Sequence, residues 1–60
     1  MLAPFTKKPV VRVNTKEKIY DSEVYMVEQD EYSGEYWLLT VDRDGKFRWV
    51  LMDNCTVIAP

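Results

Sequence analysis

Two pairs of closely spaced carboxylates are the side chains in this sequence best suited to acid–base chemistry. Asp30 adjoins Glu31, and Asp42 stands two residues before Asp44. A carboxylate pair can share acid–base work only when burial separates the two pKa values. Both pairs fall in segments whose composition predicts exposed turns, so we expect them to be solvated turn residues.

The other reactive side chains have no partner in the sequence. The 60-residue chain contains no histidine, and its one cysteine, Cys55, lies where the last strand is predicted to begin. Because a cysteine nucleophile needs a neighbouring base or cation, we expect Cys55 to be an apolar filler. One thiol builds neither an internal disulfide nor a zinc site. We therefore predict a non-catalytic protein without metal or cofactor.

Charge is unevenly distributed along the chain. The formal net charge is −2, from 8 basic and 10 acidic residues. Residues 1–18 contain five cations and one anion, a balance of +4, whereas residues 19–60 contain three cations and nine anions, a balance of −6. This split predicts either opposite charges that meet within the fold or two surfaces of opposite sign.

Domain organisation and location follow from size and order. Sixty residues allow one domain of marginal stability. Pro4 and Pro9 interrupt regular structure, so residues 1–8 are predicted to be an arm and residues 9–60 a single domain. The sequence lacks a membrane-spanning apolar run and the basic-then-apolar order of a signal peptide. Because a lone cysteine suits a reducing compartment, the expected location is the cytoplasm.

Short runs of β-branched and aromatic residues, separated by polar turns, predict an all-β domain. The turn between Asp42 and Gly45 is the clearest signal, since Asp-Gly between apolar runs is typical of a β-hairpin. Asp53 and Asn54 predict a short 3₁₀ corner before the last strand, and the mostly polar residues 14–22 predict a long first loop. The five predicted strands are residues 10–13, 23–28, 36–41, 46–51 and 55–59.

Alternation gives the third predicted strand two apolar sides. One side carries Tyr36, Leu38 and Thr40, and the other carries Trp37, Leu39 and Val41. One side must therefore form the core, and the other must be covered or bind something. Because few other residues are large enough to fill so small a core, we expect most aromatic side chains to be buried. Trp37 or Tyr36 is expected to be more exposed than Phe47.

The order of these elements resembles the Src-homology-3-like (SH3-like) barrel over about residues 9–59. The long first loop, the acidic turn at residues 29–35, the distal hairpin at Asp42–Gly45 and the 3₁₀ corner occupy corresponding places. Tyr36 and Trp37 stand where that family usually carries two tryptophans, and Asn54 stands at the position of a frequent asparagine. The resemblance implies a five-stranded SH3-like barrel, a superfold that hosts many functions.

The chain lacks most of what the peptide-binding members of that superfold use. They carry an alanine-leucine-tyrosine-aspartate-tyrosine stretch near the start, which residues 10–14 do not match. They also carry a proline before the 3₁₀ corner, and a tyrosine where this chain has Cys55. Only an aromatic side chain at Tyr36 or Trp37 carries over. The short length also resembles that of small accessory proteins of bacteriophages and bacteria.

Binding of another protein, as an inhibitor, regulator or assembly factor, is the leading functional hypothesis. An exposed tyrosine within an acidic turn is a good anchor for a partner, because tyrosine and tryptophan are enriched at binding hot spots. The alternative is that Tyr32 packs back over the end of the barrel. The predicted protein-binding residues are Asp30, Glu31, Tyr32, Glu35, Tyr36 and Trp37.

Two other functions stay open. Small barrels also bind nucleic acid by combining basic side chains with stacking aromatic rings. The candidate nucleic-acid-binding residues are Lys7, Lys8, Arg12, Lys16, Lys18, Arg43, Lys46 and Arg48. The third hypothesis is a self-associating structural subunit, a homo-oligomer that uses the apolar strand face or residues 2–5.

Overall fold

The computed structural model describes residues 8–59, which form six β-strands and one 3₁₀ turn. They pair as two three-stranded antiparallel sheets, in the orders β2-β1-β6 and β3-β4-β5. The predicted all-β class is therefore confirmed. The elements are β1 (Val10–Asn14), β2 (Ile19–Glu23), β3 (Met26–Gln29), β4 (Tyr36–Val41), β5 (Phe47–Leu51), the 3₁₀ turn (Met52–Asn54) and β6 (Cys55–Ala59).

The predicted long first loop at residues 14–22 is wrong, because β2 begins at Ile19 within it and pairs with β1 along its whole length. Only residues 15–18 connect the two strands. The Thr15 hydroxyl accepts the Lys18 N–H at 3.1 Å, and the Thr15 N–H donates to the Lys18 carbonyl at 2.9 Å. Buried Tyr20 and Ser22 alternate with exposed residues. The polar side chains on the solvent side concealed this strand in the sequence.

The predicted second strand, residues 23–28, is also wrong in its bounds. Val24 and Tyr25 separate β2 from β3, which pair with different neighbours. The Val24 N–H donates to the Pro9 carbonyl at 2.9 Å, whereas the Tyr25 N–H donates to the Leu39 carbonyl at 2.9 Å. Consecutive residues thus bond to different sheets, and the chain passes from one sheet to the other here. The described residues therefore contain six strands where five were predicted.

The later elements follow the prediction. Val41 pairs with Phe47 beside the hairpin turn, so the turn after Asp42 is confirmed, although β5 begins one residue later than predicted. The 3₁₀ turn and the last strand are confirmed as well. Most of the predicted arm, residues 1–8, lies outside the described residues. Among the described residues, no helix is long and apolar enough to cross a membrane.

The core contains side chains from both sheets. Its buried apolar members are Val11, Val13, Tyr20, Val24, Leu38 and Val50. The Thr40 hydroxyl donates to the Arg48 carbonyl at 3.1 Å, so the buried Tyr20 hydroxyl is the donor in its 2.8 Å contact with Thr40. Ser22 adds a second link, since its hydroxyl accepts the Val41 N–H at 2.9 Å. Strand pairing among the described residues does not close the sheets into a barrel.

Candidate functional site

The outward side of the sheet β3-β4-β5 is largely apolar. On β4, Leu38 and Thr40 are buried, which confirms the predicted alternation and leaves Trp37, Leu39 and Val41 on the opposite side. Residues paired directly across antiparallel strands share a side, so the strand register extends this surface to both neighbours. We call it the outer face. It consists of Met26, Glu28, Trp37, Leu39, Val41, Phe47, Trp49 and Leu51.

The strand register arranges the outer face in three rows across the sheet. The hairpin row holds Val41 and Phe47, the middle row holds Met26, Leu39 and Trp49, and the far row holds Glu28, Trp37 and Leu51. With about 4.8 Å between strands and about 6.8 Å between rows, the Cα atoms span roughly 10 Å by 14 Å. The surface is thus continuous and wide enough for one partner element.

Several outer-face side chains are exposed to an extent unusual for their size. Phe47 is 65% exposed, Met26 50% and Trp49 42%, whereas the other apolar members are half-buried. The prediction that most aromatic side chains are core, with Phe47 among the less exposed, is therefore wrong. The opposite side of the sheet carries small or aliphatic residues in the core, such as Leu38 and Val50. These residues fill the interior and leave the aromatic rings outside.

Tyr25 extends the outer face beside the hairpin row. Its ring meets Phe47 edge-on, with centroids 5.7 Å apart and planes inclined at 82°. The Lys8 ammonium lies over the Tyr25 ring, 5.5 Å from its centroid, which is a cation–π distance. One end of the outer face therefore carries a cation at Lys8, and the far row carries the carboxylate of Glu28.

Asp30 holds the acidic turn beyond the far row. Its carboxylate accepts the N–H groups of Tyr32 at 2.8 Å and Ser33 at 3.2 Å. Its own N–H donates to the Glu35 carbonyl at 2.8 Å, and its carbonyl accepts the Gly34 N–H at 2.9 Å. Among the predicted protein-binding residues, Asp30 is thus committed to shaping the turn.

The remaining predicted protein-binding residues occupy separate positions. Tyr32 is 98% exposed at the tip of the turn, so the alternative in which it packs back over the domain is wrong. Glu31 and Glu35 are exposed beside it. Trp37 lies on the outer face, whereas Tyr36 occupies the opposite side of β4 and is 43% exposed at the strand end. The turn tip therefore lies at the far-row end of the sheet whose one side is the outer face.

Three of the predicted nucleic-acid-binding cations contact carboxylates of the same chain. Arg12 bonds to Asp21 at 2.9 Å, and Lys18 lies 3.5 Å from Asp42. Arg48 donates to Asp42 at 2.6 Å. The hydrogen bond between Arg12 and Asp21 raises the pKa of the guanidinium and lowers that of the carboxyl. Of the rest, Lys8, Lys16, Arg43 and Lys46 are exposed, and Lys7 lies outside the described residues.

Asp42 is the residue that sequence reasoning placed wrongly. It was expected to be solvated, but its side chain is completely buried. One carboxylate oxygen accepts the N–H groups of Asp44 at 2.9 Å and Lys46 at 3.0 Å, and the other accepts from Arg48. The hydrogen bond from Arg48 is the largest cause of a pKa well below the ordinary range, followed by the bond from Lys46. Asp42 therefore stays ionised and stabilises the hairpin.

Cys55 was expected to be a buried apolar filler, and the structure places it against the core but only half-buried. Its thiol lies 3.5 Å from the Leu51 carbonyl, and burial raises its pKa. Within residues 8–59, no group of three or more His, Cys, Asp or Glu side chains is placed to hold a metal ion. No protein-family model matches the chain, and no curated protein or solved structure is significantly similar to it.

Proposed function

We propose that this protein is a non-catalytic interaction module that binds another protein through its outer face. The observation that carries the proposal is the continuous run of exposed Phe47, Met26 and Trp49 on a sheet whose other side already forms the core. Monomeric domains rarely leave large contiguous apolar patches in water, and such patches mark interaction surfaces. The outer face also offers aromatic side chains, which dominate binding energy at many interfaces.

The acidic residues at the far end of the outer face indicate which side chains the partner carries at the edge of its contact surface. Glu28 lies beside Trp37, and the exposed acids Glu31 and Glu35 follow in the turn. A partner that covers Trp37 also comes close to these carboxylates, so we expect basic side chains at the edge of its contact surface. Exposed Tyr32 would extend the contact beyond the sheet. The module would act as an inhibitor, regulator or assembly factor.

Nucleic-acid binding is the second candidate, because exposed Phe47 and Trp49 on a sheet provide rings on which bases could stack. Its electrostatics are less favourable. Arg12, Lys18 and Arg48 are engaged with carboxylates, and the net charge of the chain is −2. A protein that neutralises phosphates needs several free cations on the face that carries the rings, whereas this face carries Glu28 in its far row and Lys8 at the opposite end.

We also infer that the two sheets belong to one SH3-like barrel in a cytoplasmic protein. Support for the barrel comes from the short Val24–Tyr25 connection between β2 and β3, which would make them one bent strand shared by both sheets. The 3₁₀ turn between β5 and β6 links the other edges. The single, half-buried cysteine supports a reducing compartment. An experimental structure with β2 and β3 in separate, unconnected layers would exclude the barrel.

The test is affinity capture from a cell extract with matched variants, run with and without nuclease. The bait variant combines Phe47→Ser with Trp49→Ser, which removes both exposed rings. The control is Ile19→Ser, since Ile19 is 53% exposed and lies on the other sheet. Circular dichroism and amide NMR spectra establish that each variant folds before capture is compared.

We expect the wild type and the Ile19→Ser control to retain the same proteins after nuclease treatment, and the double variant to lose them. Equal capture by all three proteins would refute the outer face as the binding surface. Capture that disappears with nuclease would instead support the nucleic-acid alternative.

A further inference from the structure

We propose that the partner covering the outer face is a second copy of this chain. The two copies would pack face to face with their strands antiparallel, so that Glu28 of each copy meets Lys8 of the other. This inference rests on the proposed function, because it names the partner of the same surface.

Glu28 is the one charged member of the outer face. It lies at a corner of the outer face, where it pairs with Trp37 across the strands and shares its side of β3 with Met26. Covering a carboxylate without a compensating charge is unfavourable, so a partner must bring a cation to this position. The chain itself carries one at the other end of the same surface, where the Lys8 ammonium lies over the Tyr25 ring.

Two-fold symmetry would bring Glu28 of one copy to Lys8 of the other. A two-fold axis along the middle row reverses strand direction and sets β3 of one copy over β3 of the other. The far row of each copy then lies over the hairpin row of its mate, so Glu28 faces the Tyr25–Lys8 end. In an isologous contact each such pair occurs twice. Met26, Leu39 and Trp49 of the middle row would meet their own equivalents.

A two-fold axis in the other direction would leave the Glu28 carboxylate without a cation. If the axis ran parallel to the strands, β3 of one copy would lie over β5 of the other. Glu28 would then face Leu51, which shares its row on the opposite edge of the sheet. That arrangement covers each carboxylate with an apolar side chain, so the antiparallel packing is favoured. Both arrangements keep the mean strand directions within the about 30° of aligned sheet-on-sheet packing, so the charge pairing is what distinguishes them.

The small contact area limits how tightly the two copies associate. The Cα grid of roughly 10 Å by 14 Å implies a contact of a few hundred Å² per copy, below the roughly 800 Å² per partner of a standard interface. The dimer should therefore be weak and reversible. Phe47, at 65% exposed, and Trp49, at 42%, are the exposed aromatic side chains that such a contact would cover.

The experiment is sedimentation equilibrium of the full chain from about 5 µM to about 1 mM, repeated for charge variants. Glu28→Lys and Lys8→Glu each place like charges together twice, so either should weaken the dimer at least about tenfold. The double variant Glu28→Lys/Lys8→Glu swaps the charges and should restore wild-type association. Glu31→Lys changes net charge as much as Glu28→Lys but lies in the exposed turn, and should leave association unchanged.

A wild type that stays monomeric at about 1 mM would overturn the inference. Unchanged association of the Glu28→Lys variant would overturn it as well. So would a double variant that associates no better than the single variants. None of these results bears on capture by the Phe47→Ser/Trp49→Ser bait, which tests the proposed function separately. A monomer whose partner capture still depends on those rings would retain the proposed function and assign the outer face to a different protein.

Discussion

The turns at the two ends of the sheet β3-β4-β5 are both built around an aspartate, yet they differ in what surrounds that residue. Asp42 accepts the backbone N–H groups of Asp44 and Lys46, and Asp30 accepts those of Tyr32 and Ser33. The Asp42 side chain is fully buried, whereas Asp30 is only half-buried. The same local hydrogen-bonding pattern therefore serves two environments.

The difference lies in charged side chains that reach Asp42 from outside its turn. Arg48 brings positive charge from the adjoining strand β5, and Lys18 brings it from the connection between β1 and β2, so this turn is tied to both hairpins. The hydrogen bonds to the Asp30 carboxylate all come from its own turn, which leaves neighbouring Tyr32 exposed at the tip. One turn thus stabilises the fold, and the other presents side chains to solvent.

Replacing Asp42 should have the largest effect on stability. Asp42→Ala removes the acceptor for two part-buried backbone N–H groups and the partner of Arg48, and donors left without a partner away from water are costly. We expect Tm to fall by about 10 °C or more, measured by circular dichroism. Asp44→Ala is the control, since Asp44 is 71% exposed and only 3.7 Å from Lys18, and should shift Tm by less than about 3 °C. Equal shifts in the two variants would contradict this role.

Acid should weaken the fold chiefly through Asp42. Because its folded-state pKa is depressed, its stabilisation is complete above the unfolded-state pKa of about 4 and decreases as pH falls from there toward the folded-state value. For the wild type, the urea concentration at the unfolding midpoint should therefore decrease as the pH is lowered from about 5 to about 2. Asp42→Asn should flatten this profile more than Asp21→Asn, whose ion pair with Arg12 is exposed. A steeper loss of stability with falling pH in Asp42→Asn than in the wild type would show that another group causes the pH dependence.

The glycines of the two turns should respond alike, because their constraint is local. Gly34 has φ of 76° and Gly45 has φ of 80°, a region that side chains disfavour. An added Cβ would meet only the Gln29 amide at 3.9 Å from Gly34 and nothing within 4 Å of Gly45. Gly34→Ala and Gly45→Ala should each cost about 1 kcal/mol in chemical denaturation. Asparagine at either position should cost less, and an alanine variant with unchanged stability would exclude the strain.

How much the sequence predicted follows the same division between local and distant contacts. The turn at Asp42 and Gly45, the 3₁₀ corner and the alternation along β4 were predictable, since each depends on neighbouring residues. The burial of Asp42 was not, because Lys18 reaches it from a connection that is 24 residues away along the chain. Strand β2 was missed because polar residues on its solvent side conceal the pattern.

The candidate site shows the same limit. The alternation along β4 predicted a second apolar side that must be covered or bind something, and the structure places Trp37 and its neighbours there. The exposure of Phe47 depends on which side of β5 the core occupies, and that in turn depends on the register with β4. The contact between Lys8 and Tyr25 depends on where the chain enters the first sheet. Neither fact can be derived from local composition.

The smallest effect on stability is expected at Tyr32. Its side chain is 98% exposed, and only its backbone N–H, which donates to Asp30, takes part in the turn. Tyr32→Ala keeps that N–H, so the free energy of unfolding should change by less than about 0.5 kcal/mol. Asp30→Ala removes the acceptor instead and should cost about 1 kcal/mol. Chemical denaturation of both variants distinguishes the two roles. A Tyr32→Ala variant as unstable as Asp30→Ala would mean that the ring supports the turn, and would remove the reason to regard it as a presented contact residue.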